Sequence, residues 1–266
     1  MARQKIDKET RKVLNEARKM IEDTMKADGN EAETRRRVER MFSSIMGYDV
    51  FKHITREHAV KGAGETEYCD FAIQLEDDKP DKPIILVELK RATTDLAKKH
   101  LKQVSSYAIN KGCEWVVLTN GREWQLHHIS FGQPPQTKLV TFWNLLEDNP
   151  TKLMKSFELI SYRNVKKGGL NRLWRKQDVL STRNLLEVIL SEDSLRYTRR
   201  EFKRSKGVTV TPEDLVGAFR RLLNESANNE MEGIKIALPE RKRRRTATAR
   251  KTDTMTCSDE TSITGT

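Results

Sequence analysis

Apolar residues recur at helical spacing along the first part of the chain. Residues 3–27 place apolar side chains on one face and Lys, Arg and Glu on the rest, which predicts an amphipathic helix. The apolar face consists of Ile6, Val13, Ala17, Met20 and Ile21. A stop at residues 28–30 and a second apolar stripe predict another helix over residues 31–46.

Strand patterns occupy the next part of the chain. Residues 48–59 predict a first strand, and residues 67–75 and 84–90 predict a hairpin across an Asp/Pro-rich turn. The run from Ile84 to Val87 is wholly apolar, which is typical of a central strand that is buried on both faces. The second strand of the hairpin therefore belongs in the middle of a sheet.

A third helix is predicted after this hairpin. Residues 94–111 have an apolar stripe, with Asp95 in the first turn and Gly112 just past the end. Gln103 and Tyr107 are four residues apart, so they share one face of that helix. A hydrogen-bonded surface pair and a role at a functional site are the two interpretations of this spacing.

A second hairpin signal follows the third helix. Asn120-Gly121 lies between two apolar runs, which predicts paired strands over residues 114–119 and 123–129. Further along, residues 142–146 predict the start of a short helix.

The character of the sequence changes at residues 166–169, a Lys/Gly segment that is typical of a linker. Three helices are predicted beyond it, over residues 179–190, 195–204 and 212–223. Residues 207–210 can form a short strand between the last two. From about residue 226 the chain is polar and rich in Thr, Ser and Arg, which predicts disorder.

These elements together predict an α/β (α+β) fold in three parts. Residues 1–165 form a mixed central sheet flanked by helices, residues 166–225 form a small helical module, and residues 226–266 form a disordered basic tail.

The net charge of +11 favours a polyanionic partner, of which nucleic acid is the preferred candidate. Residues 241–251 hold seven Lys and Arg residues and no acid, so much of this charge lies in one local segment. Without that segment the rest of the chain is only mildly basic.

Composition also bounds the setting in which the protein works. No apolar run approaches the length of a membrane span, and the first ten residues lack the apolar core of a signal peptide, so we expect a cytoplasmic protein without a membrane partner. In a prokaryote it would be associated with the nucleoid. The three cysteines, Cys69, Cys113 and Cys257, lack the spacing of a zinc site or a disulfide framework.

Three charged residues stand out against the apolar strands of the first hairpin. Glu88 and Lys90 end the central strand on the same face, because strand side chains alternate. Asp70 lies in the partner strand, where pairing can bring it beside Glu88. Burial of such charges is costly unless a partner compensates them, so a metal or a substrate is expected there.

The pattern Asp70…Glu88-x-Lys90 resembles the PD-(D/E)xK nuclease superfamily, and more narrowly the N-terminal nuclease domain of type I restriction enzyme R (motor) subunits. Three further segments resemble that domain in the same order: Asn30-Glu31-Ala32-Glu33-Thr34-Arg35 through Met46-Gly47-Tyr48-Asp49-Val50, then Gln103-Val104-Ser105-Ser106-Tyr107, then Val117-Leu118-Thr119-Asn120-Gly121-Arg122-Glu123-Trp124. The sequence departs from the name-giving pattern at Cys69, where the superfamily often has Pro. The resemblance implies a restriction-endonuclease-like fold over roughly residues 30–130.

The resemblance also implies roles for individual residues. Asp70, Glu88 and the backbone carbonyl of Leu89 would bind Mg²⁺, for which Mn²⁺ can substitute, and Lys90 would position the attacking water or help to deprotonate it. Gln103 and Tyr107 would bind the nucleic-acid backbone or support the site.

Glu31 has two interpretations. It is the position that matches an acid reaching the metal site in the family, and it also stands where an acid favours the N-terminus of a helix.

The expected function is a divalent-metal-dependent endonuclease, acting on DNA in restriction, defence or repair. The alternative is a nucleic-acid-binding module that keeps the fold without cleaving. No G-x-x-x-x-G-K-[ST] loop is present, so we expect no ATP site and no motor. A homodimer or separately encoded specificity and motor subunits are the expected partners.

Overall fold

The computed structural model describes residues 7–61, 66–75 and 82–236. It divides into two compact units between Val179 and Leu180. The predicted division at residues 165 and 225 stays a prediction, and the predicted basic run at residues 241–251 lies outside the described residues.

The first unit contains seven helices and six strands in its described part. The helices are α1 (Lys8–Lys26), α2 (Glu31–Ser44), α3 (Val50–His53), α4 (Lys98–Lys111), α5 (Pro150–Leu159), α6 (Tyr162–Lys166) and α7 (Gly169–Val179). The strands are β1 (Ile54–Lys61), β2 (Thr66–Ile73), β3 (Ile85–Leu89), β4 (Trp115–Thr119), β5 (Glu123–Ser130) and β6 (Gln136–Asn144). None of the helices in these ranges, nor in the described part of the second unit, combines the length and apolar composition needed to cross a membrane.

The six strands form one sheet in the order β1-β2-β3-β4-β5-β6. All neighbours are antiparallel except β3 and β4, which run parallel and are joined by the crossover helix α4. The predicted mixed sheet flanked by helices is therefore confirmed. β3 lies inside the sheet and is buried along its whole length, as its uninterrupted apolar sequence predicts.

Helices cover both faces of this sheet. The larger core packs α1, α2 and α5 against apolar side chains of the strands, including Phe71, Trp124 and Trp143. On the other face α4 contributes Val104, Tyr107 and Ala108 to a smaller core with Cys69, Leu86 and Val116. The polar end of β3 lies at the margin of these two cores.

The structure corrects the predicted strand over residues 48–59. Asp49 accepts a hydrogen bond from the backbone N–H of Phe51 at 3.0 Å and starts α3, so β1 begins only at Ile54.

The predicted helix over residues 94–111 begins later, at Lys98. The Asn120 side-chain amide donates to the carbonyl of Thr94 at 2.8 Å, and Arg122 pairs with Asp95. These contacts from the β4–β5 turn hold residues 94–97 in a loop and keep Asp95 out of the first helical turn.

The predicted helix start over residues 142–146 is wrong. Phe142, Trp143 and Asn144 complete β6, because Trp143 pairs with Trp124 across the sheet and their rings stack at 5.9 Å. A local apolar run thus adopts the conformation that buries its tryptophan in the larger core.

The second unit is helical in its described part. Its helices are α8 (Thr182–Ile189), α9 (Glu192–Lys206), α10 (Pro212–Leu222) and α11 (Glu225–Glu232). The helix predicted over residues 179–190 begins later, at Thr182, because the Ser181 hydroxyl caps it by accepting from the Asn184 N–H at 3.4 Å. The segment 207–210 forms no strand in the described structure, and α11 shows that the predicted onset of disorder at residue 226 is too early.

We expect Gly121→Ala to destabilise the protein more than Gly112→Ala. Both glycines have positive φ, +85° and +65°, but a Cβ at Gly121 would lie 2.6 Å from Cδ1 of Ile21, whereas nothing lies within 4 Å at Gly112. Gly112→Ala should reduce the free energy of unfolding by about 1 kcal/mol, and Gly121→Ala by roughly 1–3 kcal/mol more. Urea unfolding measures both, and equal losses would contradict the tight contact between the β4–β5 turn and α1.

Candidate active site

Asp70, Glu88 and Lys90 lie together at the C-terminal end of β3, beside the middle of β2. The antiparallel register pairs Phe71 with Val87, so Asp70 and Glu88 are the next two residues facing each other across the strands. The backbone N–H of Lys90 donates to the carbonyl of Thr119 at 2.9 Å, which extends the β3–β4 ladder by one residue. Asp70 is 7% exposed and Glu88 is 2% exposed, so two carboxylates are buried side by side.

Both oxygens of Asp70 accept hydrogen bonds. Oδ2 accepts from the backbone N–H of Leu89 at 2.8 Å, which fixes the carboxylate against β3. Oδ1 accepts from Nε of Arg35 at 3.0 Å and from a terminal nitrogen of the same guanidinium. Arg35 comes from α2 and also pairs with Glu57 of β1 at 3.3 Å. Sequence reasoning did not assign Arg35 to the site, although it lies in a segment that carries the resemblance.

Only one of the two carboxylate oxygens of Glu88 has a hydrogen-bond partner among the described residues. Its Oε1 accepts from the Lys90 ammonium at 2.7 Å, while Oε2 is buried and has no hydrogen-bond partner among the described residues. Burial raises the pKa of Glu88 to about 7; the Lys90 ammonium opposes this shift, and the negative charges of Asp70 and Glu31 add to it. The pKa of Lys90 is raised, because the hydrogen bond and charge of Glu88 outweigh the opposing effect of burial.

These residues fit a divalent cation. A buried carboxylate oxygen without a hydrogen bond is costly, and Glu88 Oε2 is such an atom. Within the described ranges no three or more His, Cys, Asp and Glu side chains form a metal-binding group. Two carboxylates, a backbone carbonyl and water molecules are nonetheless a ligand set that suits Mg²⁺, which commonly keeps several waters. Asp70, Glu88 and the carbonyl of Leu89 can supply that set.

Hydrogen bonds connect the start of α2 to the residues that follow β3. Arg91 donates from Nε to the carbonyl of Gly29 at 2.9 Å, and the Thr34 hydroxyl accepts from the N–H of Ala92 at 3.1 Å. Because Arg91 and Ala92 follow Lys90 directly, α2 is held against the site. Glu31 is the first residue of α2, and its charge acts on the pKa values of Glu88 and Lys90. The capping hydrogen bond is made by Asn30, whose side chain accepts from the Glu33 N–H at 2.9 Å.

Helix α4 brings two of the predicted residues to the same face of the sheet. Gln103 is exposed and its amide donates to the hydroxyl of the buried Tyr107 at 2.8 Å. His100 lies one turn before Gln103 and is 9% exposed. Its pKa is lowered by burial and by the positive charge of Lys90, so His100 also belongs to the surroundings of the site. In the sequence, only its position three residues before Gln103, on the same face of the helix, indicates that His100 lies near the site.

The geometry therefore describes an acidic, metal-compatible site at the end of the central strand β3. The residues in it are those of the Asp…Glu-x-Lys pattern. Residues 30–140, less than half of the 266-residue chain, match the family model of the type I restriction enzyme R protein N terminus. The resemblance found in the sequence is confirmed over these residues, and the match favours a nuclease of the restriction type. Searches of curated proteins and of solved structures found no match.

We expect the raised pKa of Glu88 to make the metal-free protein less stable as pH rises. In the unfolded chain this carboxyl ionises near its ordinary value of 4.5, and in the folded protein at about 7. The folded state therefore holds the extra proton between these values, and its advantage is present below pH 4.5 and lost as pH rises through 7. Relative to Glu88→Gln, the wild type should lose about 3 kcal/mol of unfolding free energy over this window.

Urea unfolding of both proteins with EDTA, at half-unit pH steps, measures this difference. The glutamine variant is the matched control because it mimics the protonated carboxyl and does not titrate. A difference that stays constant or grows with pH would show that burial does not hold the proton on Glu88.

Proposed function

We propose that this protein is a divalent-metal-dependent endonuclease that hydrolyses the phosphodiester bonds of DNA. The observation that supports it most directly is the buried Asp70–Glu88 pair, with Glu88 Oε2 unbonded beside the Lys90 ammonium. A structural role alone does not account for two adjacent buried carboxylates. The family match over residues 30–140 supports the same reaction class.

Asp70, Glu88 and the carbonyl of Leu89 would hold Mg²⁺, or Mn²⁺ in its place. When bound, the cation lowers the pKa of a coordinated water and stabilises negative charge at the phosphate. The backbone N–H of Leu89 orients Asp70. Pairing of β3 with β4 fixes the backbone of Leu89, and with it the Leu89 carbonyl. Glu31, the first residue of α2, acts through its charge on the pKa values of Glu88 and Lys90 and is the proposed additional ligand, directly or through water.

Lys90 would orient the attacking water and balance the anionic charge that accumulates in the transition state. Its raised pKa and its 2.7 Å hydrogen bond to Glu88 keep it protonated in the metal-free protein. An ammonium in this state positions and donates rather than accepts a proton.

The phosphodiester backbone of nucleic acid is the proposed substrate surface, and DNA is preferred because the matching family is a restriction enzyme subunit. The net charge of +11 favours association with such a polyanion. Cleavage of both strands by one site per chain commonly requires two copies, so a homodimer or additional specificity and motor subunits are the proposed partners. The proposed location is the cytoplasm, together with DNA.

The alternative is a nucleic-acid-binding module that does not cleave. One observation favours it: both oxygens of Asp70 already accept hydrogen bonds, one of them from a guanidinium. A cleavage assay with a divalent metal distinguishes the two functions, because only the nuclease would cut DNA.

We expect the purified protein to nick or cut plasmid DNA with Mg²⁺ or Mn²⁺ and not with EDTA. Asp70→Asn and Lys90→Ala should each lower the cleavage rate at least about 100-fold, because they remove a metal ligand and the group that positions water. Lys90→Ala should change DNA affinity much less than it changes rate.

Matched controls are Asp23→Asn and Lys155→Ala, which alter an exposed acid and an exposed base elsewhere in the first unit. Their cleavage rates should stay within about twofold of wild type, as is usual for exposed sites away from the chemistry. Retardation of DNA without cleavage, unchanged in the Asp70 and Lys90 variants, would establish the binding module instead.

Gln103 and Tyr107 provide a separate test of the α4 face. We expect Gln103→Ala to weaken DNA binding, measured with Ca²⁺ in place of Mg²⁺, by about 3- to 10-fold, because an exposed amide that can donate to the nucleic-acid backbone is lost. Tyr107→Phe should lower binding less, since its hydroxyl acts by orienting Gln103. Equal Ca²⁺-supported binding in wild type and both variants would restrict the pair to a structural role.

A further inference from the structure

Arg35 is the one cation in contact with Asp70 among the described residues, and the proposed function leaves it without a role. Its two acidic partners differ. Asp70 is 7% exposed, whereas Glu57 has a side-chain exposure of 69%. Arg35 itself is partly accessible, with 27% of its side chain exposed. The guanidinium thus bridges a buried carboxylate and a carboxylate at the surface.

A cation at Asp70 and the guanidinium of Arg35 compete for the same oxygen. Oδ2 is fixed by the Leu89 backbone N–H, so Oδ1 is the oxygen whose partner is a side chain, the partly exposed Arg35. Two positive groups on one oxygen lie close enough to repel each other strongly at a partly buried site. Occupancy by a divalent cation therefore favours movement of Arg35 away from Asp70.

Glu57 is the second, exposed partner of Arg35. Its backbone has φ of +47°, a conformation that L residues rarely adopt, at the position facing Asp70 across β1 and β2. Such conformations cluster at functional sites. A surface pocket of about 290 Å³ adjoins the pair and is lined by Arg35, Glu57, Tyr68, Cys69 and Asp70. An arginine facing such a pocket is suited to a phosphate, which it binds through two parallel hydrogen bonds.

Charge balance points the same way. Glu31, Glu57, Asp70 and Glu88 face Arg35 and Lys90, so the metal-free site has more acids than bases. A divalent cation at Asp70 supplies there the positive charge that Arg35 supplies in its absence. Lys90 differs from Arg35 because its side chain is 17% exposed and pairs with Glu88, whereas Arg35 is 27% exposed and has a second, exposed partner in Glu57.

We infer that Arg35 is a displaceable countercation: it occupies Asp70 in the metal-free protein and moves to a phosphate oxygen of the nucleic-acid backbone when a divalent cation binds. This inference rests on the proposed function and adds to it a substrate-binding residue that is available only after metal binding. It predicts that removing Arg35 has opposite effects on metal affinity and on nucleic-acid affinity.

Isothermal titration of the full chain with MnCl₂ alone tests the first effect. We expect Arg35→Gln to bind Mn²⁺ about fivefold or more tightly than wild type, because a competing positive charge is gone. Arg35→Lys should lie between the two. The matched control is Arg56→Gln, which removes an arginine that joins the same two elements through Glu39 and does not contact Asp70, and its Mn²⁺ affinity should equal that of wild type.

DNA binding with Ca²⁺ tests the second effect. Arg35→Gln should weaken binding about 3- to 10-fold, uniformly across sequences, and lower the slope of log K against log salt by about 1. Glu57→Gln is the second variant, and it applies even if Arg35→Gln does not fold. It should leave Mn²⁺ affinity within about twofold and strengthen DNA binding, because a negative charge is removed beside the incoming phosphate.

The outcomes separate this inference from the proposed function. Metal-dependent cleavage by wild type, together with unchanged or weaker Mn²⁺ binding in Arg35→Gln, would overturn the inference alone and leave Arg35 as a support for Asp70. Weaker DNA binding by Glu57→Gln would also overturn it. If neither wild type nor Arg35→Gln binds Mn²⁺, the inference and the metal-dependent function both fail.

Discussion

The burial of Glu88 at the end of a central strand is the constraint on which the rest of this site depends. β3 lies inside the sheet and is apolar until Glu88, so the carboxylate is withdrawn from water by the same packing that forms the core. The desolvation cost of the carboxylate is offset at Oε1 by the hydrogen bond from Lys90 and is not offset at Oε2, which has no hydrogen-bond partner among the described residues. The neighbouring Asp70 adds a second negative charge. Helix α2 contributes Arg35 to Asp70, and Thr119 at the end of β4 accepts a hydrogen bond from the backbone N–H of Lys90.

Much of the fold could be predicted because its signals are local. The two amphipathic helices, the first hairpin and the Asn120-Gly121 turn each follow from periodicity or turn chemistry within a few residues. The pairing of Asp70 with Glu88 could also be inferred, since two strands that are adjacent in the sequence favour an antiparallel hairpin. These elements form the centre of the first unit.

The errors occur where distant contacts decide the local conformation. Residues 94–97 have helical character but are held as a loop by Asn120 and Arg122, and residues 142–144 become strand because Trp143 stacks on Trp124. The pairing of Arg35 with Asp70 joins residues from α2 and β2 and leaves no mark in either segment. Such contacts depend on how elements assemble, which a single sequence does not specify.

The parallel pairing of β3 and β4 has a consequence for how the protein folds. Parallel neighbours cannot be joined by a tight turn, so α4 must cross the sheet before the ladder that ends at Lys90 can close. Loop closure of this kind costs chain entropy and is slow compared with hairpin formation. We therefore expect the antiparallel β1–β2 and β2–β3 pairs to form before the β3–β4 ladder, which requires α4 and β4 to have been synthesised.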